Sequence, residues 1–337
     1  MTITNKELAK KLGLSESAIS LALNNKPGVS TRTRKMVLKA AEEYGYDFSK
    51  LPAFENRPEP QGSICFIIYR KNGAVVADTP FFSQLSEGID QGCKRLNYFL
   101  NIKYIYGEDD IEDQLNTLAR IGTKGIILLG TEMEKQDLAP FFKCDIPFVL
   151  LDNYFEDLDV DSILINNIKG AYAATDYLIK KRKKQPGYLH SSFHINNFEE
   201  RGDGFFKAIR RNGMSTSRSI VHELSPSLEG AYADMREYLK NGEPIADCYF
   251  ADNDLIAAGA MRAFKEAGYR IPQDIAIIGF DDMPLCTYVE PPLSTVLVPK
   301  EYMGKQAVYR LHEIISDGTN PTTKIEVTAK LVKRKSS

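Results

Sequence analysis

Residues 14–34 read LSESAISLALNNKPGVSTRTR. Short hydroxyl side chains stand at Ser15, Ser17, Ser20, Ser30, Thr31 and Thr33, close to Arg32, Arg34 and Lys35, with little apolar bulk around them. Ser15 is placed to cap a helix in which Ala18, Ile19, Ala22 and Leu23 face inward and Glu16, Ser17, Ser20 and Leu21 face out. After NNKPG, a further helix is predicted from about Thr31 to Tyr44, with Val37, Leu38, Ala41 and Tyr44 on its buried side. Upstream, Thr4-x-x-Glu7 has capping-box spacing and opens a helix carrying Leu8, Ala9 and Leu12, until Gly13 stops it. Three short helices with a glycine-containing turn between the first two make a helix-turn-helix unit. A helix that enters the major groove must let its backbone come close, and small hydroxyl side chains suit positions facing phosphates and base edges.

Charge agrees with this reading. Residues 1–50 hold nine Lys/Arg against five acids, a balance of +4 within a chain of net charge −2, so the remainder carries −6. A basic head on an acidic body points to a polyanion partner for the head alone.

From Gly62 the pattern changes. The apolar runs SICFIIY, FLNIKYIY, GIILLG and PFVLLD alternate with helical patterns such as Phe82, Leu85, Ile89, Cys93 and Leu96. A second series follows, with strands near 161–166, 186–190, 218–223, 246–251 and 275–280 and helices near 169–182, 201–212, 228–240 and 255–267. Such alternation predicts βαβ units and parallel sheets, with enough strands for two. LSTVLVPKEYMGKQAVYRLHEII and KIEVTAKLVKR add one helix and a final strand that returns between two lobes. KKRKK at 180–184 reads as a solvated helix terminus, and the tail LVKRKSS as a frayed basic end.

At 337 residues, 43% hydrophobic and 26% charged, the chain is long enough for two or three cores. Cys65, Cys93, Cys144, Cys248 and Cys286 are far apart and form no C-x-x-C pair, so they read as buried thiols in a reducing cytosol. MTITNKELAKK has no apolar signal core and the longest apolar runs are strand-length, which predicts a cytoplasmic, unanchored protein. No G-x-S-x-G, G-x-x-x-x-G-K-[ST] or G-x-G-x-x-G motif occurs, so no enzyme activity, cofactor or metal is expected. His190 and His194 are four apart but lack the glutamate of H-E-x-x-H.

Ala9, Gly13, Leu14, Ser15, Ala18, Ile19, Ser20, Leu23, Asn24, Val29, Ser30, Thr33 and Arg34 fit the pattern A-x-x-x-G-V-S-x-x-T-V-S-R-x-L-N…V-S-x-x-T-R. This head resembles that of the LacI/GalR (lactose-repressor/galactose-repressor) family. The body resembles the same family's periplasmic-binding-protein-like core through TPFFSQLSEGID, TKGIILLG, IPFVLLD, FEERGDGF, FADNDLIAAGAMRAFKEAGYRIPQDIAIIGFDD and PPLSTV. The resemblance implies an α/β chain: an all-α DNA-binding head at 1–48, a Pro-rich linker at 49–61, and a two-lobed effector-binding core at 62–337. The lobes would comprise roughly 62–155 with 285–317, and 156–284 with 318–332.

On the head, it implies that Glu16, Ser17 and Leu21 read bases and that Ser15, Ser20, Asn24, Ser30 and Arg34 lie near phosphates. Leu21 stands where the family often has arginine, which favours contact with a thymine methyl over a bidentate guanine contact. The linker PAFENRPEPQG lacks the family's A-R-x-L-like hinge motif, so a plain spacer is expected, with Leu51 or Phe54 as a minor-groove wedge the alternative. In the core, Phe81, Phe82, Asp152, Arg201, Asn253 and Asp281 would line the effector pocket, with Asp254 capping the helix that follows. Acids, one arginine and aromatics suit a polyhydroxy ligand such as a sugar, although Ser225 stands where the family often places a stacking aromatic. The implied protein is a repressor that binds a palindromic duplex operator as a homodimer and answers to a small molecule. The alternative is a cytoplasmic small-molecule receptor or enzyme with a vestigial head.

Overall fold

The computed structural model describes residues 3–24, 26–48, 60–71, 73–76, 80–318 and 321–337. They fall into two compact units, one ending at residue 60 and one beginning at residue 61.

The first unit holds α1 (Asn5–Leu12), α2 (Glu16–Leu23) and α3 (Thr31–Glu43). Thr4 and Glu7 form the reciprocal capping box at the start of α1, and Gly13, at φ 65°, ends it in the left-handed conformation that favours glycine. Ser15 and Ser30 cap α2 and α3. Leu8, Ala9, Ile19, Ala22, Leu23, Val37, Ala40 and Ala41 close a small core. The buried stripe of α3 differs from the one expected: Leu38 and Tyr44 are exposed, and Ala40 is buried instead. Positions 37, 40 and 41 follow the i, i+3, i+4 rule about one axis, whereas 38 lies a further 100° round the helix. The Tyr44 ring instead sits 4.1 Å from the Lys11 ammonium. The wedge candidates Leu51 and Phe54, and with them most of the linker, lie outside the described residues.

The second unit contains two parallel sheets. The first has the order β11-β5-β4-β3-β1-β2 and comprises β1 (Ser63–Arg70), β2 (Phe99–Tyr106), β3 (Thr123–Leu129), β4 (Phe148–Leu151), β5 (Ser162–Ile165) and β11 (Lys324–Val327). The second has the order β7-β6-β8-β9, from β6 (Gly187–Ser191), β7 (Val221–Leu224), β8 (Cys248–Ala251) and β9 (Ala276–Ile278). β1 is buried along both faces, as its unbroken apolar run requires of a central parallel strand. The first sheet is flanked by α4 (Pro80–Arg95), α5 (Ile111–Arg120), α6 (Ala139–Lys143) and α12 (Lys300–Asp317). The second lobe carries α7 (Asn167–Arg182), α8 (Asn196–Arg211), α9 (Leu228–Lys240), α10 (Asp254–Glu266) and α11 (Leu285–Tyr288). β10 (Thr295–Leu297) and β12 (Lys330–Val332) pair antiparallel as a separate ribbon. α4 and α12 touch at backbone distance, for a Cβ on Gly88 would lie 2.1 Å from the Glu301 carbonyl oxygen.

Three expectations change. The end of the chain supplies two strands, and β11, like β5, hydrogen-bonds into the first sheet; residues 162–165 and 324–327 therefore belong with the lobe that begins at β1, whereas residues 285–297, expected there, belong with the second lobe, where Cys286 and Leu293 pack in its core and Ser294 and Leu297 bridge Ile278 and Asp281. The tail is docked: Ser336 is fully buried, its carbonyl accepts from Ile277 N at 2.8 Å, and its hydroxyl donates to Ile277 O at 2.7 Å. Arg334 binds Asp282 at 2.7 Å. Within KKRKK, Arg182 donates to the carbonyls of Pro272 and Gln273, and Lys181 to that of Ser337, so backbone acceptors from other segments hold two of its cations. Four cysteines are buried, and Cys144 is half-buried. Among the described residues, no helix is long and apolar enough to cross a membrane.

Candidate functional site

In the head, the exposed ends of α2 and α3 carry the hydroxyls. Ser15 Oγ accepts from Ala18 N at 3.2 Å and lies 3.0 Å from Ser17 Oγ, while Ser30 Oγ accepts from Thr33 N at 3.1 Å. Ser15, Glu16, Ser17 and Ser30 are exposed, and Ser20, Leu21, Asn24 and Arg34 are half-buried. Asn24 donates to the Ser20 carbonyl at 2.8 Å, and Arg34 to that of Lys26 at 2.6 Å. Leu21, expected to face out, packs against Gly28: a Cβ built there at φ 118° would come within 3.1 Å of its methyl. Helix N-termini fringed with hydroxyls and partial positive charge are suited to phosphate.

In the core, Phe81, Phe82, Asp152, Arg201, Asn253 and Asp281 converge on one cleft. Its atom-free space, open solvent at the mouth included, is about 460 Å³. The lining comes from the carboxyl ends of strands in both sheets: Asp152 follows β4, Asn253 follows β8 and Asp281 follows β9, while the two phenylalanines open α4. Asp152 and Asp281 adopt φ of 65° and 109°, turning the chain sharply as it leaves each strand.

Arg201 is the hub. Its Nε donates to Asn167 Oδ1 at 2.9 Å, Nη1 to the Asp252 carbonyl, and Nη2 to Asp281 Oδ1 at 3.3 Å, with the guanidinium 3.9 Å above the Phe280 ring. The Asp252 carboxylate, fully buried, in turn accepts from Tyr188, His190 and Ser191 N. Burial raises the carboxyl of Asp281 above its ordinary value, opposed by the charges of Arg201 and Lys300. The buried Lys300 ammonium donates to the Asp281 carbonyl, and burial lowers its pKa. Asp152 is raised to about 6, burial outweighing the hydrogen bond from Thr131 (2.7 Å) and the charge of Arg201. Its Oδ1 has no hydrogen-bond partner among the described residues.

Asn253, not Asp254, caps α10, accepting from Ile256 N at 2.8 Å. Asp254 is fully buried beneath the cleft, where it accepts from Met283 N (2.8 Å) and Thr295 Oγ1 (2.5 Å), and burial together with Asp281 raises it to about 7. An amide oxygen at the cap leaves the following acid free to turn inward and hold the β9–α11 turn. Arg201 pairs with Asp281 and with neither of its neighbours Glu199 and Glu200. His194 is exposed beside Glu199, and the described residues hold no group of three or more His/Cys/Asp/Glu able to bind a metal.

Thr131, Ile195, Asn197 and Phe198 also line the cleft. Thr131 obeys the rule that flagged Asp152, since it comes two residues after β3. Asn197 carried no such signal, because its importance lies in crossing to the other lobe, where Nδ2 donates to the Asp152 carbonyl at 3.1 Å. Ser225 faces Asp234, to which its N and Oγ both donate at 2.7 Å, and Pro226 lines the cleft in its place.

Comparison with known proteins agrees with this architecture. The family described as bacterial regulatory proteins, lacI family, matches residues 4–48, and a periplasmic binding protein-like domain matches residues 175–337. The HTH-type transcriptional repressor PurR of Mannheimia succiniciproducens is 28% identical over 337 residues, covering 99% of this chain and 98% of its own. The ribose operon repressor of Haemophilus influenzae is 29% identical over 317 residues, 93% and 92% of the two chains. Among solved structures, a complex of the transcriptional regulator CelR with cellobiose matches with a TM-score of 0.73 over 99% of this chain and 100% of that one, at 23% identity. A helix-turn-helix head, followed by two parallel sheets that share one cleft, is similar to these regulators from end to end, with a lacI-family match over the head and a periplasmic binding protein-like match over residues 175–337.

Proposed function

We propose that this regulator is a cytoplasmic repressor that binds a two-fold-related duplex site as a homodimer and is controlled by a small polyhydroxy molecule, a sugar, held in the core cleft. The observation that carries the reading is the convergence of six residues from both lobes on that cleft, where one buried oxygen of Asp152 lacks a donor among the described residues. A carboxylate accepts from paired hydroxyls, the Arg201 fork donates to ring or hydroxyl oxygens, and Phe81 and Phe82 present apolar faces. Glu16, Ser17 and Leu21 would read bases, with Ser15, Ser20, Asn24, Ser30 and Arg34 near the backbone. Head pairs on two half-sites require a symmetric dimer. Effector bound between the lobes shifts operator affinity only through a difference in its affinity for the two core states.

The test is selection of binding sites from random duplex DNA by the full chain, with a thermal-shift screen of D-ribose, cellobiose and other sugars. A recovered palindrome and a stabilising sugar that changes its affinity are the expected results. Binding blind to sequence, or no response to any sugar, would refute the corresponding half of the reading.

A further inference from the structure

The structure assigns to Glu132, a buried carboxylate that does not line the cleft, the role of a positioning residue that clamps one wall of it. Glu132 stands next to Thr131, the donor to Asp152. Its two oxygens collect four backbone N–H groups from the segment after β1: Oε2 accepts from Lys71 N and Gly73 N, each at 2.9 Å, and Oε1 from Val75 N and Val76 N, each at 2.7 Å. Successive amides converging on one anion form a nest, and here the anion comes from the turn after the neighbouring strand. Val75 forms part of the cleft wall, whereas Val76 is fully buried behind it. A second tie joins the same two segments, the Lys71 ammonium lying 2.8 Å from Glu134.

Only a carboxylate satisfies this arrangement. A glutamine of the same shape offers one acceptor oxygen and turns an NH₂ against two N–H donors, leaving them without the acceptor they have now. An alanine leaves the nest empty, sized for a small carboxylate from solution. Glu132 thus sets how far Val75 leans over the site and, through its neighbour, where Thr131 meets Asp152. Its effect on ligand binding rests on the cleft being the effector site; the clamp itself is tested without any ligand.

The experiment compares wild type, Glu132→Ala and Glu132→Gln as full chains. Amide hydrogen exchange is followed over the peptide carrying Lys71 to Val76, with added formate, or sodium chloride as ionic-strength control. Both variants are expected to exchange there faster by about tenfold or more. Formate, but not chloride, restores protection in Glu132→Ala and fails to do so in Glu132→Gln, whose side chain fills the space. Unchanged exchange, or no formate rescue of the alanine variant, overturns the clamp. A general loosening of the core would give no such difference between the two variants.

In parallel, D-ribose and cellobiose are tested by thermal shift. If either stabilises wild type, Glu132→Ala loses that stabilisation and formate returns it; equal stabilisation of wild type and variant overturns the positioning role. If neither sugar stabilises wild type, the sugar reading of the cleft is what fails, and the exchange result still decides the clamp.

Discussion

Replacing Arg201 with methionine removes three hydrogen bonds and a stacked cation at once, yet most of the damage should come from what remains behind. Asp281 is buried, and Arg201 is the guanidinium within 3.3 Å of its carboxylate. Breaking such a pair from one side costs about 3–5 kcal/mol, because the surviving charge is stranded in a low dielectric. For a unit of this size, at roughly 2 °C per kcal/mol, the core transition should fall by about 6–10 °C. Differential scanning calorimetry of the full chain follows that transition. The second variant, Arg201→Met with Asp281→Asn, deletes the stranded charge and should recover about 1–3 kcal/mol. If the double variant melts at or below the single one, the Asp281 charge is not the source of the loss and the hub assigned to Arg201 is wrong.

Stability should also respond to pH in a definite direction. Asp152 and Asp254 are raised to about 6 and about 7 from ordinary values near 3.8, so between roughly pH 4 and 7 the folded chain holds protons that the unfolded chain has released. Their contribution is fully present below the unfolded value and is lost as pH rises through the folded ones. At His190 burial pulls the pKa down but the Asp252 carboxylate overrides it, so its raised value adds slope of the same sign. The core midpoint should therefore fall from pH 5 to pH 8, with a flatter profile in Asp254→Asn; a rising midpoint would contradict the assignment. Gly88→Ala should destabilise the core by about 1–3 kcal/mol, because its Cβ would drive α4 off the Glu301 backbone. Gly202→Ala is the matched control within α8: its Cβ meets nothing closer than 3.5 Å, and that variant should melt no lower than wild type.

Much of the cleft was legible because one rule finds it: in a parallel sheet, a polar residue just past an apolar strand faces the ligand side. Asp152, Asn253 and Asp281 all obey it, and the capping residues of the head were legible from local spacing. What sequence could not give were partnerships made by tertiary approach. Nothing in HINNFEE marks Asn197 as a bridge between lobes. Asp254 and Asn253 are both competent caps, and it is the Thr295 hydroxyl and the Met283 N–H, both tertiary partners, that draw Asp254 inward. The tail LVKRKSS is polar enough to look solvated, yet Ile277 and Ser294 offer it backbone and hydroxyl partners. Leu38 and Ala40 are both compatible with a helical stripe until the partner helices fix its axis.

Among the described residues the chain passes between the two lobes at residue 166, at 298–299 and at 328–329, each time with no more than two residues between regular elements. Three short tethers side by side behave mechanically as a torsion bar. They have too little slack for the lobes to slide or part, so the soft coordinate left to the core is a twist about the bundle of tethers. Under the proposed function, the binding energy of an effector in the cleft would go into that one angular displacement. A protease nick in any single tether would leave two in place, loosening the spring while keeping the lobes together.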